Sequence, residues 1–120
     1  MESWIGTLLA LMLGIAFIAL GYPLFQQKVG PNDYYGLRIS QTRNNPDIWY
    51  PVNARSGKHF MVTGTLLFAL GAISVFVAKT EDQQNIVMVL AICIAMTGAL
   101  YAGATGVLMA RSLATKHRNR

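Results

Sequence analysis

What the chain lacks decides its class. There is one cysteine, Cys93, so no internal disulfide can form, and neither a CxxC pair nor Cys/His metal spacing is present. Cys93 sits in an apolar run and reads as a small hydrophobe in a packed helix. Charge is scarce too: 12% of the residues are Asp, Glu, Lys or Arg, about half the usual share of a soluble domain. Hydrophobic residues make up 53% of the 120 positions. A soluble fold of that length cannot hide so much apolar surface, because small domains bury a smaller fraction of theirs. The formal charge of +5 is not gathered into a basic domain or an aromatic-studded helix, which argues against direct nucleic-acid binding.

What is present instead is three apolar runs, 4–25, 60–78 and 86–110, without one Asp, Glu, Lys, Arg or His among them. Each is near or above the roughly 20 residues that cross a hydrocarbon core as helix. The expected fold is therefore all-α: one membrane domain, 1–120, of three transmembrane helices embedded in the lipid bilayer. The first run lacks a positive n-region and a clean small-residue cleavage site, so it reads as a retained span rather than a signal peptide. Gly21-Tyr22-Pro23 suggests that the first helix ends there, with Tyr22 at the headgroups.

Orientation follows from the loops. The 26–59 connector holds Lys28, Arg38, Arg43, Arg55 and Lys58, and the 111–120 tail holds Arg111, Lys116, Arg118 and Arg120. The short loop on the other side has Lys79 alone, beside Glu81 and Asp82. The positive-inside rule predicts an outer N-terminus with connector and C-terminus in the cytoplasm.

Small residues at every fourth position predict close helix packing, within the chain or in a homo-oligomer. Gly6, Ala10 and Gly14 share one face of the first span. Gly98, Ala102, Gly106 and Ala110 share one of the third, with Ala95, Ala99 and Gly103 beside them. The spans contain only hydroxyls such as Thr7, Thr63, Thr65, Ser74, Thr97 and Thr105, which normally bond back to their own helix. A proton-coupled pump wants an ionisable group at that depth. Catalysis fares no better, because His59 and His117 have no carboxylate or cysteine at ligand spacing and no serine stands in a nucleophile elbow. No catalytic residue, metal or cofactor is expected.

The connector changes character. Gly30-Pro31-Asn32-Asp33 is turn chemistry, followed by Tyr34-Tyr35-Gly36-Leu37-Arg38, where rings and an arginine stem suit the headgroup region. Asn45-Pro46-Asp47 reads as a helix start, with a capping Asn, Pro at the first position and an acid at the positive end of the dipole. Ile48, Trp49 and Val52 would give a short interfacial helix an apolar face on the membrane. Pro51 would clash with the Asp47 carbonyl, predicting a kink or break near Tyr50 before the chain runs on into the second span.

These residues resemble a known family. Pro31-Asn32, Tyr35-Gly36-Leu37-Arg38, Thr42, Asn45-Pro46-Asp47-Ile48-Trp49, Asn53 and Gly57 are similar to the signature of the SdpI family. Its members are small bacterial multi-pass membrane proteins named for the immunity protein of a sporulation-delay toxin system. The likeness spans about 27 residues and the order of the flanking runs. The chain departs from the pattern at Ile39-Ser40, where the family has threonine-proline, and at Asn53-Ala54, where the family's paired arginine appears one place late as Arg55. The resemblance implies a non-enzymatic immunity or signal-receptor protein whose partners are a membrane-active toxin peptide and a cytoplasmic regulator. A small oligomeric transporter or an accessory subunit of a larger complex stands as the alternative. Arg38 is the expected central charge, its guanidinium bonded to backbone carbonyls or Asp47 with Tyr35 and Trp49 packed beside it, or else on lipid phosphate.

Overall fold

The computed structural model describes residues 3–119; Arg120, counted in the basic tail, lies outside them. The described chain is an elongated all-helical bundle measuring 62 × 22 × 20 Å. Its helices are α1 (Ile5–Phe25), the one-turn α2 (Ser40–Arg43), α3 (Pro46–Val77) and α4 (Glu81–Arg118). The three long ones are each long and apolar enough to cross a membrane, and α2 is a short helix in the connector.

Helix α1 does not stop at Gly21-Tyr22-Pro23. It runs to Phe25 and closes with Gln27 in the left-handed region at φ 58°. The Lys28 N–H donates to the Pro23 carbonyl and the Gln27 N–H to that of Leu24, the paired bonds of a Schellman end. Gly21 serves packing instead.

Helix α3 starts where Asn45-Pro46-Asp47 places it, the Asn45 side chain accepting the Asp47 N–H at 3.1 Å. Pro51 does not break it, and the helix passes through Tyr50 and Pro51 without interruption to Val77. Trp49, Val52 and Asn53 are all buried on the surrounding turns, and that burial offsets the backbone bond a proline removes so near a helix start. Ile48, Trp49 and Val52 consequently do not form a face lying on the membrane. Ile48 and Val52 pack with Ala110 of α4 beneath Leu37 and Ile39 of the connector. At 32 residues α3 is about 48 Å long, well beyond the ~30 Å of a hydrocarbon core.

A seam of glycines joins α1 and α3. A Cβ on Gly21 would stand 2.5 Å from the Gly57 carbonyl oxygen, and one on Gly57 the same distance from that of Gly21. Gly14 and Gly64 meet in the same way, with 2.8 Å and 2.6 Å to each other's carbonyl oxygens. One further heptad along, Gly71 lies against Leu11, its absent Cβ 2.7 Å from that side chain. The repeat on both antiparallel helices is seven residues, the period that keeps one seam in register along two helices. Gly6, Ala10 and Gly14 are all buried inside the bundle, as are Ala102 and Gly106. Gly98 packs on the Thr63 side chain.

The end of the bundle away from the connector is closed by a polar knot. Gln84, fully buried on the first turn of α4, accepts the Thr7 N–H at 2.9 Å and donates to Thr7 Oγ1 at 2.9 Å and to the Ala78 carbonyl at 2.8 Å. Thr7 Oγ1 lies 2.6 Å from Ser74 Oγ, which donates to the Gly71 carbonyl at 2.7 Å. Thr63, Thr65 and Thr105 bond back to their own helices as expected, and Ser74 does so while also meeting Thr7 across helices. Thr80 and Gln83 form a capping box at the start of α4 beside this knot.

Candidate functional site

The connector is a folded element held by its own polar residues. Asn32 makes the first turn: its Oδ1 accepts the N–H groups of Tyr34 (2.8 Å) and Tyr35 (2.7 Å), and its Nδ2 donates to the carbonyls of Gly30 (2.9 Å) and Tyr35 (3.0 Å). An asparagine suits this position because its short amide mimics a backbone turn. Gly36 follows with φ 107°, a conformation side-chain-bearing residues resist. A Cβ there would lie 2.8 Å from Asn53 Oδ1 and 3.2 Å from the Trp49 ring.

Two residues of α3, Asn53 and Trp49, fasten this loop to the bundle, and Thr42 braces it from within. Asn53, 1% exposed, accepts the Leu37 N–H at 2.6 Å and donates to the Trp49 carbonyl at 3.1 Å. Trp49, with none of its surface exposed, donates its indole N–H to the Val29 carbonyl at 2.7 Å. Thr42, equally buried, donates to the Leu37 carbonyl at 2.7 Å and accepts the Ile39 N–H at 3.1 Å, which fixes the start of α2. Gly106 of α4 completes the seat, since a Cβ there would stand 2.8 Å from Leu37 and 2.9 Å from Ser56 Oγ. Buried backbone polar groups need such partners, because apolar surroundings offer none.

The outward side is different. Arg38 is exposed and has no hydrogen bond or ion pair among the described residues, so the expected bonds to carbonyls or Asp47 are absent. Gly36 packs inward against Trp49, whereas Arg38 two positions on is exposed. Asp47 is exposed at the first turn of α3, where it complements the dipole. Arg55 is also exposed, its closest polar contact being Met109 Sδ at 4.0 Å, so it does not join the connector network. Arg43 and Asp33 pair loosely at 3.9 Å, an exposed contact of little energetic weight. Gly57 belongs to the glycine seam, not to a ligand site, and Pro46 begins α3.

Beneath the connector lies a cavity of about 430 Å³, walled by Leu20 and Leu24 of α1, Phe60 of α3 and Ala99 and Gly103 of α4. Tyr35 roofs it together with its neighbours. The Tyr35 phenol oxygen is buried without a hydrogen-bond partner among the described residues, and burial pushes its pKa above the ordinary value. At neutral pH it is an O–H donor lacking an acceptor.

The structure thus brings together Asn32, Tyr35, Gly36, Thr42, Trp49 and Asn53, and leaves Arg38, Asp47 and Arg55 outside that network. Sequence reasoning missed the Gln84 knot and the cavity, whose parts come from segments far apart in the chain. The sequence model of the SdpI/YfhL protein family matches residues 28–110, from the start of the connector through most of α4. No curated protein and no solved structure matches the chain. The family match takes in the whole network that fastens the connector, together with the α3–α4 pair on which it sits; the chain belongs to the SdpI/YfhL protein family.

Proposed function

We propose that the chain is a non-enzymatic immunity and signal-receptor protein of a bacterial plasma membrane, guarding it against a membrane-active toxin peptide. In this reading the N-terminus is outside, while the connector and basic tail face the cytoplasm. Nine of the ten Lys and Arg residues lie in those two segments, which supports that orientation. One observation carries the proposal: the signature residues Asn32, Gly36, Thr42, Trp49 and Asn53 fold the connector into a fixed platform, and Arg38 points outward from it. A mere linker needs no buried tryptophan and asparagine to hold its shape. An exposed guanidinium on an ordered platform suits recognition of a carboxylate or phosphate on a partner.

The test is survival of cells challenged with a sporulation-delay-type toxin peptide, comparing deletion, wild type, Arg38→Ala and Trp49→Ala. Wild type protects, Trp49→Ala loses protection through collapse of the platform, and Arg38→Ala loses it at normal protein level. Equal sensitivity of all four strains overturns the proposal.

A further inference from the structure

We propose that the cleft between α2 and the end of α4 binds the phosphodiester headgroup of an anionic membrane phospholipid, held by the guanidiniums of Arg111 and Arg118. This rests on the membrane-spanning fold and not on the immunity reading.

The cleft measures about 430 Å³ and is lined by Gln41 of α2 and by Arg111, Ala114, Thr115 and Arg118 of α4. Arg111 and Arg118 stand about two helical turns apart, so they share one face of α4 with the small Ala114 between them. Both are exposed, and neither side chain has a hydrogen bond or ion pair among the described residues. The acids are engaged elsewhere. Asp33 pairs with Arg43, Asp47 lines a neighbouring cleft with Lys116 and His117, and Glu81 and Asp82 lie in the first turn of α4, at its opposite end. No carboxylate of the described residues is left to answer Arg111 and Arg118. In the last turn of α4 Arg118 also complements the helix dipole, but Arg111 comes about two turns too early for that.

The other polar groups of the cleft suit an anion as well. Gln41 Oε1 accepts the Ser40 O–H at 3.1 Å, while its amide N–H groups have no partner among the described residues. Thr115 spends its own proton on the Arg111 carbonyl at 3.0 Å. What the cleft has left to give is N–H donors, most of them on guanidiniums, and phosphate oxygens answer that pattern. Thr42, buried and bonded to the Leu37 carbonyl, holds α2 and with it Gln41 in place. Depth selects lipid over free phosphate. Arg111 is the first charged residue after the uncharged 86–110 run, so the cleft opens where hydrocarbon gives way to headgroups. Basic pockets beside membrane helices at that level take anionic headgroups.

The experiment is native mass spectrometry of the full chain in detergent, titrated with phosphatidylglycerol and separately with phosphatidylcholine. Thermal unfolding is measured in parallel. Wild type is expected to bind one phosphatidylglycerol roughly tenfold more tightly than phosphatidylcholine. Arg111→Gln with Arg118→Gln removes that preference, a loss of roughly tenfold, without lowering the unfolding temperature of the lipid-free chain. Lys28→Gln with Lys58→Gln removes as much charge from exposed positions outside the cleft, and at physiological salt leaves the affinity within about twofold. Gln41→Glu puts a carboxylate in the cleft to compete for the guanidiniums and lowers the affinity roughly tenfold. Equal affinity of wild type for the two lipids overturns the proposal, as does a loss in the lysine pair as large as in the arginine pair. Gln41→Glu binding as wild type does overturns it too. Displacement of the lipid by millimolar inorganic phosphate would reveal a free-phosphate site instead and overturn it. So would an acidic protein that co-purifies from cells and is lost only in the arginine pair.

Discussion

At the far end of the bundle Gln84 uses both ends of its amide on other segments, and every polar atom of the knot it forms has a partner. At the connector end Asn53 joins the Leu37 N–H of the loop to the Trp49 carbonyl of its own helix, yet the Tyr35 phenol close by has no partner among the described residues. The first cluster ties α1, α3 and α4 and has nothing left to offer a ligand. The second secures its own loop and, among the described residues, leaves the buried Tyr35 phenol and the exposed Arg38 guanidinium without a partner. Since a buried unsatisfied donor costs about 1–3 kcal/mol, the connector end carries a penalty that the far end does not.

The sharpest way to break this comparison is Gly36→Val. The positive φ and the contacts with Asn53 and Trp49 make it cost about 3 kcal/mol or more. Hydrogen exchange should accelerate by roughly a hundredfold in 30–45 while amides of 5–10 and 81–88 keep their protection. Acceleration at both ends would show that the two clusters are one cooperative unit. Next in size come Asn53→Leu and Gln84→Leu, each leaving a backbone N–H unanswered, that of Leu37 or of Thr7, at about 1–3 kcal/mol. Thermal unfolding in detergent should fall in both, and the losses should add in the double variant, because the sites are about 30 Å apart along α3. Under the proposed immunity role, only Asn53→Leu should also lower survival in the toxin challenge at equal protein level.

Smaller effects sharpen the picture. Trp49→Phe keeps most of the ring but loses the bond to the Val29 carbonyl, so about 1 kcal/mol is expected, read as faster proteolysis around 26–30. Arg38→Ala should change stability by no more than about 0.5 kcal/mol, as for any exposed side chain without a partner. A larger loss would mean that Arg38 does belong to the inner network.

Much of this fold is legible in the sequence, for reasons that can be named. Long uncharged runs have few alternatives to transmembrane helix, and Asn45-Pro46-Asp47 states where α3 begins because capping is a local interaction. Pro51 misleads, since its local penalty is outweighed by burial of Trp49 and Val52, which only the tertiary contact reveals. The four-residue spacing of small residues points to single helix faces. The tighter interface is a seven-residue match between Gly14, Gly21 and Gly57, Gly64, visible only when two segments are compared. Gln84 gives no local sign of its role, because its partner Thr7 lies 77 positions away. Arg38 is misread for a similar reason: which side of a loop faces inward depends on Gly36 and Asn53 meeting.

The unbroken course of α3 has one more consequence. Asn53, the three seam glycines and Ser74 ride on a single helical rod, so their angular positions are phased to one another. Deleting one residue between Gly57 and Gly64 would rotate everything beyond it by about 100°. Either the seam would come out of mesh with α1, or the far-end knot would lose Ser74. Insertions and deletions should therefore be poorly tolerated along this rod, and a twist applied at the platform has no hinge in which to dissipate before it reaches the opposite face of the membrane.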